Sequence, residues 1–211
     1  MTTVRPENSH RPFKLIGGQL SLDFTNTVPW RGREIPEEKL NTYQDLLDWS
    51  RLAGILTEDN ARKLSREGSI QREGAKGVLD RAVEIREAIY RVFSATVSKM
   101  PVSDWDLVIL NRELREALTR LRLYPESEGY ALDFEWGGGA IDQMLWPIAR
   151  AASDLLTSEE LDQVSRCASD DCLWLFVDTS KNRSRRWCDM KDCGNRNKAR
   201  RFYERKRGIE L

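Results

Sequence analysis

The chain reads as an α+β protein, mostly helical, in two parts. Residues 1–157 are predicted to form a helical domain with a small antiparallel sheet, behind a leader over 1–12. Residues 158–211 are predicted to form a β-hairpin followed by a basic helix. Three observations carry this expectation. Two long stretches, 77–99 and 103–123, repeat apolar residues at steps of three and four, as core-facing helices do. Two short ones, 20–24 and 130–136, alternate apolar and polar residues, as half-buried strands do. All four cysteines fall between positions 167 and 193, and the densest run of arginine and lysine follows them. A chain of 211 residues is long enough for one large domain and one small one.

Each element follows from local chemistry. The leader is polar, holds Pro6 and Pro12, and contains His10, the only histidine, as an exposed tail residue. Gly17-Gly18 reads as a turn into a strand with Leu20, Leu22 and Phe24 on one face. Asn41 or Thr42 caps a helix with Tyr43, Leu46, Leu47, Ser50 and Leu52 inside, which Gly54 ends. Thr57 starts a shorter helix to about Arg66, and 66–77 is a charged, glycine-rich connection or a weak helix start. Val78, Ala82, Ile85, Ile89, Val92, Phe93 and Thr96 form the stripe of the helix over 77–99, which Pro101 stops. Ser103 caps the next helix, to about Leu123, with Trp105, Val108, Ile109, Leu114, Leu118 and Leu121 apolar. The strand over 130–136 is expected to pair with the one over 20–24. A helix over 140–156 follows, with Pro147 at a kink or a start. Thr157-Ser158-Glu159-Glu160 has the form of a capping box opening a short helix into Cys167.

The cysteines are spaced Cys167-x4-Cys172, fifteen residues, then Cys188-x4-Cys193. Two close pairs of thiolates suit one tetrahedral Zn²⁺. Buried or disulfide-bonded thiols are the alternative, which leaves unexplained why no cysteine lies elsewhere. Leu173–Asp178 and Arg185–Cys188 are the expected strands of a hairpin between the pairs. Its faces are Leu173, Leu175 and Val177 on one side and Trp174 and Phe176 on the other. Four thiolates leave no open coordination position, so the one zinc is expected to be structural, supplying folding energy to a unit too small for a secure core.

Charge is polarised. From 181 to 207 there are 12 Lys and Arg against 3 Asp and Glu, a balance of +9. With 34 basic and 34 acidic residues overall, the remainder holds 22 and 31, a balance of −9. Such polarity points to a polyanion-binding end, with a solvated basic helix as the plain alternative. The expected nucleic-acid-binding residues are Arg183, Arg185, Arg186, Asn195, Arg196, Lys198, Arg200, Arg201 and Arg205. Asn195, Arg196 and Asn197 have base-reading chemistry. Ala199, Phe202 and Tyr203 are expected to dock the helix. The acidic domain is a candidate shield for the basic tail.

The string Cys193-Gly194-Asn195-Arg196 resembles the signature of the CGNR zinc-finger family. So do Trp174-Leu175-Phe176-Val177-Asp178-Thr179-Ser180, Arg186-Trp187-Cys188-Asp189-Met190 and Lys198-Ala199-Arg200. Upstream, Gly18 to Thr27 (GQLSLDFTNT) with Trp30-Arg31 resembles the opening of the ABATE domain, described as a stress-induced transcription regulator. The resemblance implies a bacterial cytoplasmic protein with a zinc-bound, DNA-binding tail. It carries the zinc positions over as Cys167, Cys172, Cys188 and Cys193.

A transcription regulator binding DNA is therefore the expected function, with the large domain sensing an effector or dimerising. The alternative is an RNA-binding or protein-interaction module with purely architectural zinc. Asp23, Asn26, Thr27 and Arg31 gather at one strand end; they line a small-molecule effector pocket or satisfy turn and strand-end hydrogen bonds. An enzyme is not expected: there is no phosphate loop, no nucleophile elbow, no usable histidine and no open metal site. No apolar run approaches the ~20 residues that span a bilayer, and no signal peptide is visible.

Overall fold

A computed structural model describes residues 13–206; the leader and Arg207 lie outside the described residues. Helix α4 (Arg72–Val97) is the axis of the large domain, with Val78, Ala82, Ile85, Ile89, Val92 and Phe93 buried along it. Against it pack α1 (Leu20–Thr25), α2 (Tyr43–Leu52), α3 (Glu58–Ile70), α5 (Asp104–Thr119) and α6 (Leu145–Leu156). Helix α2 opens on a capping box between Thr42 and Asp45, and Gly54 sits just beyond its end at φ 75°. Trp49, absent from the expected stripe, is its fully buried anchor, while Leu52 is half exposed.

Several expectations are corrected. The stretch 20–24 is helix α1, not a strand. Ser21, Leu22, Asp23, Phe24 and Thr25 are all buried. With every side covered, alternation no longer marks an inside and an outside, and a short apolar run fits helix as well as strand. Of the two readings of 66–77, the helical one holds and the connection does not, with only Gln71 between α3 and α4. Helix α5 ends at Thr119, and Trp105, Val108 and Leu118 face solvent. Strand β1 (Leu121–Glu126) then pairs antiparallel with β2 (Gly129–Phe134), so the partner of the 130s strand is its sequence neighbour. Pro125 disfavours helix at the residue before it, and Leu121 and Leu123 continue the alternation of Leu132 and Phe134 across the pair. Pro147 lies in the first turn of α6, where its missing N–H costs nothing. Thr157 opens no helix: it is the C-cap of α6, its hydroxyl donating back to Ser153 O at 3.0 Å, and Ser158 precedes a 3-10 turn (Glu159–Gln163) instead.

The C-terminal unit also contains an antiparallel pair, one strand earlier than expected. Strand β3 (Val164–Arg166) pairs with β4 (Leu175–Val177). The expected return strand at 185–188 is irregular; it keeps one ladder-like bond, from Ala168 N–H to Arg186 O at 2.8 Å. Strand β4 serves two cores. Leu175 and Val177 enter the core of the large domain, whereas Trp174 and Phe176 pack among the four cysteines. The zinc-type unit is thus built onto α1.

Candidate metal centre and nucleic-acid interface

Each cysteine is positioned by backbone chemistry. Cys167 directly follows β3 and donates its N–H to Trp174 O at 2.8 Å. Cys172 closes a turn by donating to Ser169 O at 2.9 Å, and Leu173 after it takes a left-handed φ of 58°. Cys188 is held by Arg185, whose guanidinium donates to the carbonyls of Val177, Trp187 and Cys188 and lies 4.2 Å over the Phe176 ring. Cys193 sits in a π-helical turn (Met190–Gly194) leading into α7 (Asn195–Lys206). Asp189 starts that turn by accepting from Lys191 N–H at 2.7 Å.

The four sulfurs lie within 4.8 Å of one another and are buried. Cys172 and Cys188 sulfurs are 3.6 Å apart, Cys188 and Cys193 sulfurs 3.7 Å, too far for disulfides. Zn–S bonds of about 2.3 Å in a tetrahedron give S–S edges of about 3.8 Å, so a Zn²⁺ fits this cage. As thiols the four are in conflict. Hydrogen bonds from the other three pull the Cys167 thiol far down, while bonding with Cys167 pushes the Cys172 and Cys188 thiols far up. A divalent cation resolves this by holding all four as thiolates. The donor set fills zinc's four positions, so the metal is structural.

Around the cage, the charges are organised by Arg196. It donates to Cys193 Sγ at 3.4 Å, to Ser169 Oγ at 3.2 Å and to Asp171 Oδ1 at 3.1 Å, and lies 4.3 Å over the Trp30 ring. Its cation offsets the net negative charge of a zinc tetrathiolate. Asn197 Nδ2 donates to Ser169 Oγ and Cys193 O, each at 2.9 Å. Asn195 donates to Lys191 O at 3.1 Å, and Arg200 to Asp170 at 2.9 Å. These side chains, with Arg185, are engaged within the unit.

A different set faces outward. Lys198, Arg201 and Arg205 are exposed along one flank of α7, and Arg183 and Arg186 are exposed before it. Phe202 and Tyr203 do not dock the helix; they are 60% and 61% exposed and touch each other edge to face at 5.7 Å. The helix docks through Asn197 and the partners of Arg196 and Arg200 instead.

Asp23, Asn26, Thr27 and Arg31 are all taken up in structural bonds. Asp23 accepts from Gly17 N–H at 2.7 Å, Thr27 donates to Phe24 O, and Arg31 pairs with Glu87 at 2.7 Å beneath Tyr90. Asn26 bonds both backbone groups of Leu175. None of the four lines the cavity of about 360 Å³ that Cys172, Cys188 and Cys193 themselves wall, together with Trp30, Trp174 and Arg196.

The loop Pro29–Arg33, which holds the effector-pocket candidate Arg31, clamps the metal unit instead. Arg33 stacks 4.0 Å over Trp30 and pairs with Asp171 at 3.5 Å. Gly32 passes so close to Asp170 O that a Cβ would stand 1.8 Å from it. The sequence signal was the Trp30-Arg31-Gly32-Arg33 string, whose partners lie 140 residues downstream. No described helix is long and apolar enough to cross a membrane.

Comparison with curated proteins finds no match. The CGNR zinc finger matches residues 163–206, spanning the cage and α7. The ABATE family, described as "Putative stress-induced transcription regulator", matches residues 18–159, from the turn before α1 to the start of the 3-10 turn. With two-thirds of its length under that match, this chain belongs to the ABATE family and carries a CGNR zinc finger with one structural zinc.

Proposed function

We propose that this protein is a cytoplasmic transcription regulator whose zinc unit presents α7 to duplex DNA, and that it is not an enzyme. The observation that carries the reading is the row Lys198, Arg201 and Arg205. These three stand at steps of three and four, exposed, with no acidic partner among the described residues. The acidic side chains near α7 are committed elsewhere: Glu204 and Asp170 to Arg200, and Asp171 to Arg196. The free row therefore meets phosphates, and Arg183 and Arg186 extend it. In this reading the cavity beside Trp30 and Arg196 receives the effector, because its walls join the large domain to the base of α7.

Titration of duplex DNA across a salt series tests this. The zinc-loaded protein should bind at low salt, with affinity falling steeply as salt rises. Replacing Lys198, Arg201 and Arg205 together with Ala should reduce the salt slope by about 3 and leave zinc content unchanged. Failure to bind duplex at low salt would sink the reading. A second reading rests on the exposed Phe202–Tyr203 pair, which can stack on unpaired bases. Tighter binding of single-stranded RNA than of duplex DNA in the same titration, lost in Phe202→Ala, selects it.

A further inference from the structure

The cavity beside the cage brings sulfur within reach of a small molecule. Cys172, Cys188 and Cys193 are among its walls, so whatever sits there meets the cage directly. Lys14 and Asp192, its exposed wall residues, mark the mouth; the cysteines, Pro29 and Trp174, all buried, mark the floor. At about 360 Å³ the space takes a small organic molecule, and Pro29, Trp30 and Trp174 give it apolar walls.

Two features of the floor are chemical. Arg196 lines the cavity and donates to Cys193 Sγ at 3.4 Å, so this sulfur shares its space with a guanidinium. The Cys188 sulfur lies 3.7 Å from that of Cys193, and a disulfide needs this gap to close to about 2.0 Å. A nucleophile, a cationic donor beside it and a second sulfur within reach suit a two-electron oxidation.

We propose that this cavity is a modification site, at which a hydroperoxide oxidises Cys193 and Cys188 to a disulfide and the zinc is released. The Cys193 sulfur attacks the terminal oxygen of the hydroperoxide. An S–O bond forms and the O–O bond breaks. The other oxygen departs as alkoxide, or as hydroxide from hydrogen peroxide, and takes a proton from solvent. Arg196 faces the negative charge that develops on this departing oxygen. The Cys188 sulfur then attacks the Cys193 sulfur: the S–S bond forms, the S–O bond breaks, and the leaving hydroxide takes a second proton. The two sulfurs give up two electrons, and the hydroperoxide is reduced to an alcohol (or water) and one further water. The two cysteines left are too few donors to hold the cation. Cys193 sits in the turn that leads into α7, so loss of the cage unseats the basic helix. The proposal rests on the reading of this cavity as the effector site and gives the effector its chemistry.

The test treats full-length, zinc-loaded protein with hydrogen peroxide in one arm and cumene hydroperoxide in the other, reading released zinc with a chelating dye. Zinc should leave as the thiols are lost, and the faster arm identifies the source of the hydroperoxide. Peptide mapping should join Cys188 to Cys193. Arg196→Gln should slow oxidant-driven release at least about tenfold. Its zinc transfer to the dye without oxidant should be as fast as in the wild type or faster; an arginine with a merely structural role would speed both. If Arg196→Gln fails to load zinc, the wild-type map decides. Zinc retained under both oxidants, a disulfide between other cysteines, or a loaded variant oxidised as fast as the wild type overturns the proposal. Duplex DNA is titrated alongside with unoxidised protein. Binding together with zinc retained under oxidant defeats this proposal alone, whereas oxidative release from a protein that never binds duplex supports the modification site and sinks the DNA reading.

Discussion

Asn26 does for β4 what a neighbouring strand would do. Its Nδ2 donates to Leu175 O at 2.8 Å and its Oδ1 accepts from Leu175 N–H at 3.1 Å. One carboxamide 149 residues upstream thereby satisfies both backbone groups of a fully buried residue. Beside it, Trp174 Nε1 donates to Val28 O and Val177 N–H donates to Gly17 O, each at 2.8 Å.

Asn26→Ala leaves a buried donor and a buried acceptor without partners, at about 1–3 kcal/mol each. The expected loss is about 2–6 kcal/mol of stability, read as a lower denaturant midpoint. Asn26→Asp should be as damaging, because it keeps the acceptor but loses the donor and buries a charge.

Gly32→Ala is predicted to disturb the metal unit although residue 32 lies far from the cysteines in sequence. The added methyl group meets the Asp170 carbonyl, so the 169–172 turn that carries Cys172 must shift. Overpacking of this kind costs about 1–3 kcal/mol. Zinc transfer to a chelating dye should be faster than in the wild type. Gly77→Ala, within α4 where a Cβ meets open space, serves as a comparison at a site remote from the metal.

Asp23 sets a pH dependence with an unusual sign. Burial pushes its carboxyl from 3.8 up to about 6, against the N–H groups of Gly17 and Ile16 that favour the ionised form. The folded chain therefore holds this proton more tightly than the unfolded one. Asp23 favours the fold most at low pH, and its contribution falls as pH rises from about 4 to about 6, by on the order of 2 kcal/mol. Most buried carboxylates with cationic partners act the other way. In Asp23→Asn this decline should vanish from denaturation midpoints measured across that window; an unchanged pH profile would count against it.

Zinc removal is predicted to unfold the C-terminal unit first. Trp174, Phe176 and the four cysteines are the buried members of its small core, with Trp187 half buried against them. Once the cation is gone, that core cannot hold four ionised sulfurs together. Chelation should change tryptophan fluorescence and remove any nucleic-acid binding, while α4 and its neighbours keep most of the helical signal. Cys172→Ser should reproduce this with about one zinc lost per chain. A fully retained fluorescence spectrum after chelation would contradict the prediction.

The legible parts of this protein were those governed by short-range chemistry. The stripe of α4, the Thr42 cap, the Gly54 stop and the alternating faces of β4 each depend on residues within a few positions. Four cysteines at ligand spacing specify their metal wherever the chain folds, because thiolate coordination is so restrictive. Elsewhere the outcome depends on what a segment packs or pairs with rather than on its own residues. Leu20–Phe24 alternates like a strand, and only complete burial among α4, α6 and β4 makes it a helix. Leu121–Glu126 reads as the end of a helix until it is seen paired with β2.

Arginines divide along the same line. Composition alone indicates a basic end, and its charge is enough to expect attraction to a polyanion. Nothing in the local pattern separates Arg185 and Arg196, spent on carbonyls, a thiolate and aromatic rings, from Lys198, Arg201 and Arg205, which have no acidic partner among the described residues and of which Arg205 reaches only the Arg201 carbonyl one turn back. That division depends on where Phe176, Trp30 and Asp171 lie in space. A guanidinium is committed or available according to what is within about 3 Å of it, and only the folded chain sets that distance.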